Sequence, residues 1–146
     1  MALREYDPDQ VVVYFAGQRL TGFADGEFIT VSQKSAGFTD VVGTDGTDVS
    51  RSKTNDRRAT VVVKLMQTSP SNDFMSTIHQ TDLDTANGAG VGTFQIQDLG
   101  GTTLVHDESA WIEKFADESK DRGAKANEWT LTLPSPTRVV GGNDVV

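Results

Sequence analysis

The sequence predicts a mainly β chain: a sandwich or barrel of antiparallel strands with one α-helix on its flank. Three observations carry that expectation. Six to eight short runs of β-branched and aromatic residues are separated by Gly, Pro, Asn and Asp. Only one stretch shows helical spacing together with start and stop signals. Consecutive strand runs are joined by turns, which favours hairpins over parallel crossovers. The 146 residues suit one domain, 1–146, large enough to bury a core.

Taken in order, VVVYFA (11–16) reads as a strand ending at Gly17, and GQRLTGFADGE as turns. EFITVSQK (27–34) alternates: Ile29 and Val31 share one face, with Phe28, Thr30, Ser32 and Lys34 on the other. GFTDVVG (37–43) allows a second strand. ATVVVKLMQ (59–67) has the strongest strand pattern, with Val61, Val63 and Leu65 on one face and Val62, Lys64 and Met66 on the other. The runs at 27–34 and 59–67 are expected to pair around a projecting segment.

The helix is expected within 68–88. Ser69 or Ser71 supplies an N-cap and Pro70 suits a first turn. Asp73 complements the positive end of the dipole. Phe74, Met75 and Ile78, with Asp82 or Leu83, extend the stripe at helical spacing, and Asn87-Gly88 stops it. TFQIQD (93–98) then sends Phe94 and Ile96 inward and Gln95 and Gln97 outward. TTLVH (102–106) returns as its hairpin partner. DESAWIEKF carries both periods, and the strand reading is preferred. EWTLTL (128–133) is the last strand. The tail at about 135–146 is expected to be mobile unless something holds it.

Composition excludes several classes of function. The formal charge is −8, from 21 acids and 13 bases. Residues 51–58 hold four bases and one acid, so the rest of the chain sums to −11. Such a surface repels phosphate and does not coat DNA. With no Cys, disulfides, thiolate metal sites and Cys nucleophiles are absent. The first ten residues lack the apolar core of a signal peptide, and no apolar run reaches bilayer length. A soluble protein made in a cytoplasm, without a membrane anchor, is expected.

No motif points to catalysis, a cofactor or a metal. NGAGVG (87–92) follows a helix and precedes a strand, the reverse of a dinucleotide-binding turn. TDGTD (44–48) lacks the spacing and the final Glu of a calcium loop. His79 and His106 form no zinc pattern. Asp107-Glu108 and Asp117-Glu118 are sequence neighbours, which on a strand point to opposite faces. They read as solvated surface charge.

The segment GTDGTDVSRSKTNDRRATVVVKL is sorted by charge. Asp40, Asp45 and Asp48 precede Arg51, Lys53, Arg57 and Arg58. No aromatic interleaves with the cations, so a stacking platform for bases is missing. The segment, about 40–59, is expected to be an arm whose two limbs meet complementary charges on other copies of the chain. It is expected to be disordered in a lone monomer.

The order EFITVSQ, charged loop, ATVVVKLMQ, the helix TSPSNDFMSTI, the hairpin GTFQIQDLGGTTL, AWIEKF, EWTLTL and a late GGN resembles the tail tube protein of contractile-tailed bacteriophages. The likeness runs from about residue 10 to 143, and its most specific part is the SPSND helix followed by the IQDLGGT hairpin. It implies a sandwich-like barrel with a flanking helix, hexameric rings whose sheets join around a channel, and rings stacked into a tube. It implies sheath, tape-measure, baseplate and tail-terminator proteins as partners. It also implies passage of double-stranded DNA without specific binding, and a place in the virion tail assembled in the host cytoplasm. The candidates for the lumen wall are Thr30, Ser32, Lys34, Lys64, Gln95 and Gln97. Two alternatives remain open: a tailocin or secretion-type tube, and a small virion module binding a glycan or receptor. The second needs exposed aromatic platforms, whereas Trp111 and Trp129 are expected in the core.

Overall fold

A computed structural model describes residues 2–145. Ten strands and one α-helix follow a short 3-10 turn at Pro8–Gln10. The strands are β1 (Val11–Phe15), β2 (Gln18–Arg19), β3 (Ile29–Gln33), β4 (Phe38–Val42), β5 (Val49–Lys53) and β6 (Ala59–Met66). After α1 (Ser71–Asp84) come β7 (Gly92–Asp98), β8 (Leu104–Lys114), β9 (Ala126–Leu133) and β10 (Thr137–Val139). All pairings are antiparallel, as the chain of hairpins predicts.

Eight strands form one sheet: seven follow the path β2-β1-β7-β8-β9-β6-β3, and β10 pairs with β8 off that path. β8 is long enough to serve two half-sheets. Its first part pairs with β7 and β10, and its last four residues pair with β9. A register shift between Ile112 and Lys114 accompanies the change. The half-sheets fold onto each other around a core that includes Val13, Phe15, Phe94 and Ile96 from one and Val61, Val63, Leu65 and Leu131 from the other. Each such side chain contributes about 1.5–3 kcal/mol when fully buried. The path ends at β2 and β3 without closing, so a sandwich is formed, not a closed monomer barrel.

Helix α1 covers one end of the sandwich. Neither Ser69 nor Ser71 is its N-cap; Pro70 holds that position without a capping side chain. The two hydroxyls anchor the helix to a neighbouring turn instead. Ser69 donates to the Thr21 carbonyl (2.5 Å), and Ser71 accepts from the Thr21 amide (2.9 Å). Asn72 donates to the Met66 carbonyl (2.8 Å) and accepts from the Trp129 indole (2.9 Å). The buried helix face is Ser71, Met75 and His79. His79 thus stands within the stripe, 4.6 Å from the Phe115 ring, while Leu83 is exposed.

Two polar groups read as surface or loop chemistry are structural. Asp107 is buried, and it accepts from the Ser109 amide (2.9 Å) and the Ser135 amide (2.8 Å). It therefore braces the link between β9 and β10 and is not solvated charge. In NGAGVG, Asp82 accepts from the Ala89 and Gly90 amides (2.9 and 3.0 Å), so the donors a phosphate would need are occupied. The tail is held: β10 runs along β8, and Asn143 donates to Asp98 (3.0 Å).

Candidate assembly surfaces

The half-sheet β8-β9-β6-β3 has two open edges. β3 has β6 on one side only. The last residues of β8, from Trp111 onward, have β9 on one side, while β7 pairing stops at Ala110. Unpaired backbone at both ends invites strand addition. The edges run in opposite directions, because three antiparallel steps separate them.

The outward face of this half-sheet is polar. Cross-strand rows place Trp111, Thr132, Thr60 and Ser32 together, and Lys114, Thr130, Val62 and Thr30 together. Lys64 lies directly opposite Glu128. Lys34 pairs with Glu113 at 3.0 Å, and the Thr132 hydroxyl also donates to Glu113. Thr132, then Lys34, hold the Glu113 carboxyl below the usual carboxylate range. Lys34 and Lys64 thus each stand beside an acid, while Lys114, on the same face, lies opposite Thr130. Trp111 is partly exposed on this face and not in the core, because its neighbours Ala110 and Ile112 point inward; Trp129 is buried.

The six lumen candidates do not share a face. Thr30, Ser32, Lys34 and Lys64 stand on the outward face just described. Gln95 and Gln97 stand on the outward side of β7, beside Tyr14 and His106, and bond to each other at 3.1 Å. Both inward faces share the core, so these two outward faces point away from each other.

The charged arm is a regular hairpin of β4 and β5, with all ten of its strand residues exposed. Local bonds close the hairpin at both ends. At the tip, Asp45 accepts from the Thr47 amide (3.1 Å); the Thr47 side chain, then its amide, lower the Asp45 carboxyl pKa, and Gly46 takes a positive φ of 75°. At the base, Asp56 accepts a bidentate pair from Arg58 (both 2.9 Å) and a bond from Ser35 (2.7 Å). Arg58 and Ser35 hold Asp56 well below the usual carboxylate range, and Asp56 raises Arg58.

The charges of the arm are therefore partly used within the chain. Asp40 lies opposite Arg51, whose guanidinium sits 4.1 Å over the Phe38 ring. Lys53, Arg57 and Asp48 make no ion pair among the described residues. Exposed Phe38, Val41, Val42 and Val49 give the arm an apolar character that the charge pattern had hidden.

Between β3 and the opposite half-sheet lies an open cleft of about 460 Å³. Its walls include Phe28, Ile29, Val31, Ile96 and Val139. Arg138 also lines it, in register with Val105 of the core, and its Nε has no hydrogen-bond partner. No group of side chains among the described residues is arranged to hold a metal, and no helix among them is long and apolar enough to cross a membrane.

Residues 15–139 match the family model described as bacteriophage PhiTE tail tube protein. The chain is also 27% identical to structural protein ORF10 of Pseudomonas phage KPP10 over 147 residues, covering 97% of this chain and 84% of that protein. Topology, open edges and the family match over most of the chain lead to one conclusion: this chain belongs to the phage tail tube protein family.

Proposed function

We propose that the chain is the repeating subunit of a hollow tail tube, built from hexameric rings that stack and carry double-stranded DNA into the host when a sheath contracts. Family membership supports the tube, and the two open edges of β8-β9-β6-β3 support the ring. Head-to-tail pairing of the β3 edge of one copy with the β8 edge of the next continues the antiparallel sheet around a channel. Both edges are then removed.

In this reading the outward face with Thr30, Ser32, Lys34 and Lys64 lines the lumen, while Gln95 and Gln97 face away from it. Glu113 and Glu128 stand beside Lys34 and Lys64, so of the three lysines on this face only Lys114 has no acid set opposite it, which limits the positive charge free to grip DNA in transit. The arm, with Asp40, Asp45, Asp48, Arg51, Lys53 and Arg57 exposed, reaches toward the next ring, while Arg58 holds its base. Tape-measure, baseplate, terminator and sheath proteins complete the virion tail, which assembles in the host cytoplasm. The observation that carries the proposal is the pair of open, oppositely directed edges. Negative-stain electron microscopy of the purified protein tests it: rings or tubes are expected. A monomer at high concentration, with no rings at any salt, overturns it.

A further inference from the structure

We infer that the open cleft is an intersubunit socket, filled within the ring by the α1–Phe115 flank of the adjacent copy. This rests on the ring reading above and names the contact that completes it. The placement comes from continuing the rows of the half-sheet into the next copy. Lys114 shares a row with Thr30 within the chain, so a neighbouring β8 that continues this row brings its Phe115, one residue on, level with the Phe28–Ile29 end of β3. Lys114 is on the outward face, so Phe115 falls on the core side, the side on which the cleft opens. Its ring contacts there agree: His79 at 4.6 Å and Trp129 at 6.3 Å.

The two surfaces are complementary in chemistry. The flank presents Phe115, 38% exposed, beside Gln80 and Asp84. Helix α1 contains Asp73, Asp82 and Asp84 and no Lys or Arg. The cleft offers apolar walls and, within them, the guanidinium of Arg138 with its unpartnered Nε. Glu27 and Asp98 also line the cleft, but Asp98 already accepts from the Gly100 amide and Asn143, and an apolar hollow holding a partly buried guanidinium with a free Nε–H fits an aromatic ring accompanied by a carboxylate, which Phe115 with Asp84 supplies. The arm is the other candidate occupant, but it leaves the opposite end of β3, after Gln33.

The absence of cysteine makes a direct test possible. One protein carries Thr77→Cys on the helix flank and a second carries Val140→Cys at the cleft mouth, both exposed positions. They are mixed, assembled and treated with a short bis-maleimide. The expected result is a crosslinked heterodimer several-fold above that from Val49→Cys, on the arm, mixed with Val140→Cys. Rings that form normally but crosslink the cleft only to the arm, or to neither, overturn the socket and leave the ring reading standing. Failure of every variant and of the wild type to form rings overturns both. As a second measurement, Arg138→Glu should lose rings and Asp84→Lys should restore them in the double variant. A double variant no better than Arg138→Glu alone, with its fold intact by circular dichroism, counts against the socket.

Discussion

Replacing Asn72 with alanine tests how the helix is fixed to the sheets. The carboxamide accepts from the Trp129 indole at 2.9 Å and donates to the carbonyls of Met66 (2.8 Å) and Ser69 (3.2 Å). Trp129 is only 3% exposed, so alanine leaves its N–H without a partner and out of reach of water. Leaving a buried donor unmet costs about 1–3 kcal/mol, and an ordinary hydrogen bond lost adds about 1 kcal/mol. The sum is about 2–4 kcal/mol, equivalent to a fall in Tm of roughly 5–15 °C for a chain of this size. Urea and thermal unfolding followed by circular dichroism measure it. A cycle with Trp129→Phe separates the shared bond from packing, and a coupling of about 1–2 kcal/mol is expected. A loss below about 0.5 kcal/mol, or additive single effects, would refute the assignment of Asn72 as the tie between α1, β6 and β9.

Gly22→Ala should destabilise by more than about 1 kcal/mol in the same assay, because φ is +73° and the new Cβ would stand 2.6 Å from Ser69 Oγ. Glu113→Gln should cost about 0–1 kcal/mol at neutral pH, since the Lys34–Glu113 pair is partly exposed. The Glu113 carboxyl is depressed, so its contribution is complete above the usual carboxylate value and vanishes as pH falls through the lower folded value. The gap between wild type and Glu113→Gln should close in acid, and a gap that widens contradicts the sign. Arg57→Glu should block tube growth with the fold and arm intact, whereas Arg58→Glu should also loosen the arm by breaking the Asp56 clasp, seen as faster amide exchange in 35–58. Normal tubes from Arg57→Glu would remove Arg57 from the stacking contact.

Elements with one buried face were legible because alternation records burial. In β6, the pattern of Val61, Val63 and Leu65 against Val62, Lys64 and Met66 predicted which side chains are buried. The helix was legible for the same reason, although its start was misassigned: Ser69 and Ser71 satisfy Thr21, a partner about fifty residues away that no local rule reveals. The β-branched run in GFTDVVG marked β4, whereas β5 was obscure because neither face is buried and no periodicity marks it. β8 was divided in the sequence reading by the polar run at 106–109, where the buried carboxylate of Asp107 bonds backbone amides. The lumen set shows a different limit. Alternation separates inward from outward within a strand, but only the sheet order shows that Gln97 and Lys64 look outward from opposite sides of the core.

The proposed ring also places a demand on register. Backbone pairing between the β3 and β8 edges is indifferent to sequence, and a slip of two residues along the edges keeps the backbone bonds and leaves every side chain on its own face, since β3 is fixed by its pairing with β6. The outward face of Thr, Ser and paired charges does little to oppose that slip, since exposed pairs such as Lys34–Glu113 contribute little. A contact outside the sheet plane must fix the alignment. Phe115 in the cleft does so, because an aromatic ring that fits one position of an apolar hollow is lost when the strands shift by two residues, about 6.6 Å. Edge pairing then supplies closure, and the socket supplies the register. A chain with the edges but without Phe115 should still associate, yet as irregular assemblies without a uniform diameter.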